Sequence, residues 1–141
     1  MSEYVLHFDG SCGPTNPGPF AGYGYVISKD GFIKENESGP LVGQTFSNNY
    51  AEFYALFKGL DYLLTILQPS DKLFIRGDSA LVINIMRGKW RPKDSGIYFP
   101  AYLLASNALT CIRRDRVHVS IDWVPREMNT QADALSTSYR T

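Results

Sequence analysis

Cysteine, long apolar runs and net charge are all scarce in this chain, and each scarcity removes a class of protein. Two cysteines in 141 residues, Cys12 and Cys111, supply neither a disulfide framework nor the paired spacing of a zinc site. No apolar run approaches the roughly 20 residues that span a bilayer. The start, Met-Ser-Glu-Tyr, has neither the basic nor the apolar region of a secretion signal, so a reducing cytoplasm is the expected compartment. With 14 basic and 14 acidic side chains there is no overall charge to make a general polyanion binder. A content of 44% hydrophobic and 13% aromatic residues excludes a disordered or fibrous chain. A chain this long hides roughly two thirds of its unfolded surface, so a core forms without disulfide or metal staples. No repeat, low-complexity tract or linker interrupts it, and residues 1–141 are expected to form one domain.

The balanced total conceals a division. Residues 1–70 carry seven acidic and three basic side chains, whereas residues 71–141 carry seven acidic and eleven basic ones. Arg87, Lys89, Arg91 and Lys93 are interleaved with Trp90, and Arg113, Arg114 and Arg116 form a second group. Such grouping on a neutral chain suits a local contact with a polyanion, or simply a solvated surface.

Periodicity supplies the elements. Tyr4, Leu6 and Phe8 alternate with Val5, His7 and Asp9, a strand that stops at Asp9-Gly10. A loop rich in glycine and proline, Gly10 to Pro19, follows. Strands over 22–28 and 31–37 are joined through Asp30-Gly31, a pair suited to a tight hairpin, and the third is expected to resume over 41–45. From Asn49 to Leu67 the residues Phe53, Leu56, Phe57, Leu60, Leu63, Leu64 and Leu67 fall at helical spacing. A strand over 72–78, helices over 79–87 and 99–113, a strand over 117–123 and a final helix from Thr130 complete the order. A meander followed by strand-helix-strand crossovers predicts an α/β domain: a mixed five-stranded sheet, antiparallel then parallel, with helices on both faces.

In such a sheet, ligand sites gather beyond the carboxyl ends of strands. Asp9 ends the first strand and Asp78 the fourth; Glu52 opens the long helix and Asp133 the last one. Each has an ordinary structural role available. Asp9-Gly10 suits a turn, Asp78 an N-cap, and Glu52 and Asp133 capping boxes with Asn49 and Thr130. Only together do they point to chemistry, because clustered carboxylates repel unless protonated or bridged by hard cations such as Mg²⁺ or Mn²⁺.

The stretches Phe8-Asp9-Gly10-Ser11, Asn16-Pro17-Gly18-Pro19, Gly22-Tyr23-Gly24, Ser47-Asn48-Asn49-Tyr50-Ala51-Glu52, Gly77-Asp78-Ser79, Trp123-Val124-Pro125 and Ala132-Asp133-Ala134-Leu135 closely resemble the ribonuclease H family in order and spacing, from residue 3 to 138. The resemblance is to the short type 1 form, without an extended basic handle or a separate hybrid-binding domain. It implies a ribonuclease H-like fold and an endoribonuclease that cuts the RNA strand of RNA–DNA hybrids, leaving 5′-phosphate and 3′-hydroxyl ends. Asp9, Glu52, Asp78 and Asp133 would hold two Mg²⁺ ions, with Mn²⁺ as a substitute. Gly10, Ser11, Cys12 and Asn16 would read the RNA strand through its 2′-hydroxyls. Asn48, Asn49 and Ser79 would contact the substrate near the acids, and Lys89, Trp90 and Arg91 would grip it further out. A monomer with no membrane contact and no obligate protein partner is expected.

The chain departs from the family pattern in one loop. Many members carry a histidine before the last acid, where this sequence has Val124-Pro125-Arg126-Glu127-Met128-Asn129. Arg126 and Glu127 are therefore the candidate auxiliary residues, Glu127 for proton exchange and Arg126 for phosphate. His7 and His118 fall inside strands, where a hydrogen-bonded structural histidine is expected. Two other readings compete: another nuclease on the same fold, such as a resolvase or integrase, and a non-catalytic nucleic-acid-binding module. Met1 just ahead of the first strand suggests a free-standing chain, the alternative being a domain of a longer polyprotein.

Overall fold

A computed structural model describes residues 1–140. Its sheet is five-stranded, with strands β1 (Glu3–Cys12), β2 (Ala21–Lys29), β3 (Phe32–Leu41), β4 (Lys72–Gly77) and β5 (His118–Trp123) in the order β3-β2-β1-β4-β5. The β3-β2-β1 half is antiparallel and β1-β4-β5 is parallel, as the alternation and the crossovers predict. The helices are α1 (Asn48–Leu63), α2 (Ala80–Met86), α3 (Phe99–Arg114) and α4 (Thr130–Ser136). Single 3-10 turns cover Arg126–Met128 and Ser138–Arg140. No described helix is long and apolar enough to cross a membrane.

The two faces of β1 explain the layering. Tyr4, Leu6 and Phe8 are buried against α1, where Gly59 leaves room for Leu6. Each large side chain removed from water this way contributes roughly 1.5–3 kcal/mol. Helices α1, α2 and α3 share that core. Helix α4 covers the opposite face on β1 and β2, where a Cβ on Gly24 would meet the Ser136 nitrogen at 2.7 Å and the Ala132 oxygen at 2.9 Å. Small residues at 22 and 24 thus let α4 lie flat on the sheet.

Several boundaries move for physical reasons. β1 runs on through Gly10, Ser11 and Cys12, because the antiparallel ladder continues to the Cys12–Ala21 pair. β3 stays unbroken to Leu41 rather than resuming over 41–45; Phe46 instead bridges to Gly18. The long helix begins at Asn48, capped by the Ser47 hydroxyl accepting the Tyr50 N–H, and ends at Leu63, with Leu64, Thr65 and Ile66 in turns rather than helix. The hairpin keeps its predicted pair, Asp30 and Gly31, at φ of 50° and 92°, the left-handed values a primed turn demands.

Candidate active site

The sheet brings the strand-end acids together. β1 and β4 pair up to His7–Arg76, so Asp9 and Asp78 each stand two residues beyond the last matched pair and emerge side by side. Glu52 arrives from the first turns of α1, which presses against β1 at Gly10; a Cβ there would overlap the Glu52 backbone nitrogen. Oxygens of Asp9, Glu52 and Asp78 lie within 4.8 Å of one another. Asp133, on α4, lines the same cleft of about 440 Å³.

At α1 and α2 the capping roles open to these acids are taken by their neighbours. Ser47, not Asn49, caps α1; Ser79, not Asp78, caps α2 through the Val82 N–H; and Asn129 precedes α4. The carboxylates are left facing each other. Burial, then the contact with Asp133 and the charges of Asp78 and Asp133, push Asp9 up to about 8, against a smaller pull from the Gly10 N–H. Burial does the same to Glu52, also to about 8, with the Ser79 hydroxyl opposing and Asp9 and Asp78 adding to it. Asp78 is raised by burial and by Asp133, with the Arg126 guanidinium opposing.

A divalent cation fits this donor set. The ligands are hard oxygens, and Glu52 Oε2 is buried with no hydrogen-bond partner. Leaving such an acceptor unsatisfied costs about 1–3 kcal/mol, which coordination would recover.

The other candidates divide by position. Gly10, Ser11, Cys12, Asn48 and Arg126 line the cleft. Asn48 also holds the loop: its Oδ1 accepts the Cys12 N–H at 2.7 Å, and its N–H donates to Asn16 Oδ1 at 3.1 Å. Asn16, Asn49 and Ser79 stand beside the cleft without lining it, Ser79 touching Glu52. Lys89, Trp90 and Arg91 lie exposed on the loop after α2 and do not line the cleft, Trp90 being 49% accessible. Arg126 pairs with Asp133 at 3.3 Å, whereas Glu127 is exposed and outside the cleft. Half-buried His7 has no side-chain hydrogen bond, contrary to the structural role expected of it.

Sequence reasoning missed Trp123 and Thr137, which line the cleft, and the buried Asn129 and Ser136. The Trp123 indole N–H donates to the Asp78 carbonyl at 3.1 Å, and Asn129 Nδ2 donates to the Phe8 carbonyl at 2.9 Å. The alternation along β5 located Trp123 without revealing that its indole reaches across to β4.

An α/β sheet with carboxylates gathered at the ends of parallel strands puts this cluster where folds of that class bind their ligands. The profile of the reverse transcriptase-like family matches residues 7–139. The bifunctional protein Rv2228c of Mycobacterium tuberculosis is 36% identical over 138 residues, 95% of this chain and 34% of its own length. Ribonuclease HI of Halobacterium salinarum is 33% identical over 140 residues, 92% of this chain and 60% of its own. Among solved structures, the N-terminal ribonuclease H domain of the mycobacterial protein superposes with a TM-score of 0.81 at 28% identity, over 98% of this chain and 93% of that one. The crystal structure of ribonuclease H1 from Halobacterium salinarum gives 0.79 at 30% identity, over 96% of each. The chain therefore belongs to the ribonuclease H family and carries its mixed five-stranded fold. It spans about a third of the mycobacterial relative's length.

Proposed function

We propose that this chain is a metal-dependent endoribonuclease that hydrolyses the RNA strand of RNA–DNA hybrids, leaving 5′-phosphate and 3′-hydroxyl ends. The observation that carries it is the convergence of Asp9, Glu52 and Asp78 within 4.8 Å, with Asp133 in the same cleft, in a chain of the ribonuclease H family. A non-catalytic nucleic-acid module would have no reason to retain four acids whose mutual repulsion works against the fold.

Asp9, Glu52, Asp78 and Asp133 would hold two Mg²⁺ ions, or Mn²⁺ in their place. Bound there, the metals supply the positive charge that acidifies an attacking water and neutralises the leaving 3′ oxygen. The protein's own share is positioning. Backbone groups of Gly10, Ser11 and Cys12, held by Asn48, line the cleft where a 2′-hydroxyl would be read, with Asn16 and Asn49 beside them. Ser79 orients Glu52. Arg126, already against one acid, is placed to meet a phosphate, and Lys89, Trp90 and Arg91 extend the grip outside the cleft. The reading includes a monomer in a reducing cytoplasm, in keeping with a sequence that carries only two cysteines.

The test is incubation of the protein with labelled RNA–DNA hybrid, duplex RNA, duplex DNA and single-stranded RNA, each with Mg²⁺, Mn²⁺ or EDTA. Hybrid alone should be cut, and only with metal. Asp9→Asn and Asp78→Asn should each remove nearly all cleavage while leaving the fold intact. Cleavage in EDTA, or either variant cutting within a few fold of wild type, would overturn the assignment.

A further inference from the structure

The side chain of Ser136 is completely buried, yet it is polar and sits at the point where α4 meets the end of β1. Its hydroxyl lies 3.3 Å from Asp9 Oδ2 and 2.9 Å from the Asp133 carbonyl one helical turn back. In the other direction, the Ser11 hydroxyl donates to the Ser136 carbonyl at 2.8 Å. One residue of α4 is thus tied to both Asp9 and Ser11 on β1. The seat is shaped for it, since a Cβ on Gly22 would overlap the Ser136 carbonyl oxygen and one on Gly24 would crowd its nitrogen.

We infer that Ser136 is a positioning residue of the cleft, donating its hydroxyl to the Asp9 carboxylate and so fixing both the direction of that ligand and the distance of Asp133 from it. A hydroxyl has one proton, which either back-bonds to the helix carbonyl or goes to Asp9. A charged acceptor makes the stronger bond, so an Asp9 carboxylate engaged with a cation draws the proton to itself, while the carbonyl keeps its remaining partners along α4. Thr137 takes part in this arrangement: its hydroxyl donates to the same Asp133 carbonyl at 3.2 Å, and Asp133 O also accepts the Thr137 N–H at 3.2 Å, so that carbonyl stays satisfied when Ser136 turns away. Partners outside the ligand shell that orient a ligating group typically govern roughly 10-fold or more of metal affinity.

This inference rests on the reading that the acids hold divalent cations, and its test does not require a nucleic-acid substrate. Mn²⁺ binding to the full chain would be measured by titration calorimetry for wild type, Ser136→Ala and Ser136→Cys, with thermal midpoints recorded without metal. Cysteine retains the bulk but is a poor donor, so it separates donation from packing. Both variants should bind Mn²⁺ roughly 10-fold more weakly while keeping midpoints within a few degrees of wild type. In hybrid cleavage both should need more metal for half-maximal rate, with kcat at saturating metal changed less. Full affinity in the cysteine variant with a loss only in alanine would make Ser136 a packing residue and overturn the inference, as would unchanged affinity in both. Failure of wild type to cut hybrid while Mn²⁺ binding still depends on Ser136 would refute the proposed reaction and leave this inference standing.

Discussion

Gly10 on β1 and Glu52 on α1 meet backbone to backbone, at a separation that admits a hydrogen and nothing larger. A Cβ on Gly10 would overlap the Glu52 nitrogen and reach within 2.6 Å of the Ala51 oxygen, and neither is the far end of a flexible side chain. The glycine beside Asp9 therefore sets how near the Glu52 carboxylate can come. Gly10→Ala should cost about 1–3 kcal/mol through overpacking. The activity loss should be out of proportion to that cost, because a 1 Å misplacement of a reacting group is worth about 100-fold. Thermal denaturation and cleavage rates measured on the same sample check both. Activity within a few fold of wild type would mean that α1 can retreat without moving its acid.

The raised acids make a pH prediction whose sign is fixed. Asp9 and Glu52 stand at about 8 in the fold, against 3.8 and 4.5 in the unfolded chain. The folded state binds protons more tightly, so the stability they provide is complete below about pH 4 and is lost as pH climbs through 8. The metal-free thermal midpoint should fall between about pH 5 and pH 8.5, and saturating Mg²⁺ should raise it most at the alkaline end. His7 acts in the opposite sense around 6.5, since burial and Arg76 disfavour its charged form and stability rises as the unfolded histidine deprotonates. The informative quantity is therefore the difference between wild type and Asp9→Asn, which keeps His7 constant. Asp9→Asn should match wild type at the acid end and exceed it by a margin that widens as pH climbs toward 8. Parallel curves would show that Asp9 ionises freely.

Asp9 and Asp78 were legible because a strand end is a local pattern and parallel pairing follows from the crossovers, so their adjacency needed no distance information. Glu52 and Asp133 depended on helices returning to that end, which motif order supplied. Ser136 was not legible, since its role arises from how closely α4 lies on Gly22 and Gly24, a matter of tertiary approach that no spacing along the chain encodes. Nor was the choice between Arg126 and Glu127. They are adjacent on one 3-10 turn, and only its orientation sends the guanidinium into the cleft and the carboxylate to solvent. The extension of β1 through Gly10 to Cys12 was hidden for a related reason: the ladder to β2 outweighs the loop-like composition.

Because Arg126 holds Asp133 at 3.3 Å and opposes the raised pKa of Asp78, it competes for the charges that would bind metal while offering a site for phosphate. Removing it should act in two directions at once. Arg126→Ala should lower the Mg²⁺ concentration for half-maximal activity, roughly 2-fold for the loss of one largely exposed counter-charge. It should also raise KM for hybrid by a similar factor. Glu127→Gln, which alters a side chain outside the cleft, should leave both unchanged. A Glu127→Gln effect confined to multiple turnover would return proton exchange or product release to that residue.

The exposed loop after α2 offers the cleanest separation of grip from chemistry. Lys89 and Arg91 do not line the cleft, and no ion pair among the described residues engages either of them. A lysine or arginine that contacts phosphate releases condensed counterions, so each contact adds up to about one unit to the slope of log affinity against log salt. Changing both to alanine should weaken hybrid binding most at low to moderate salt and flatten that slope by one to two units, roughly, with kcat at saturating substrate preserved. Trp90, half exposed between them, should add a smaller, salt-independent loss when changed to alanine if it stacks on a base or sugar. An unaltered salt slope in the double variant would show that this loop faces away from the substrate, and the grip would then have to come from the cleft and Arg126.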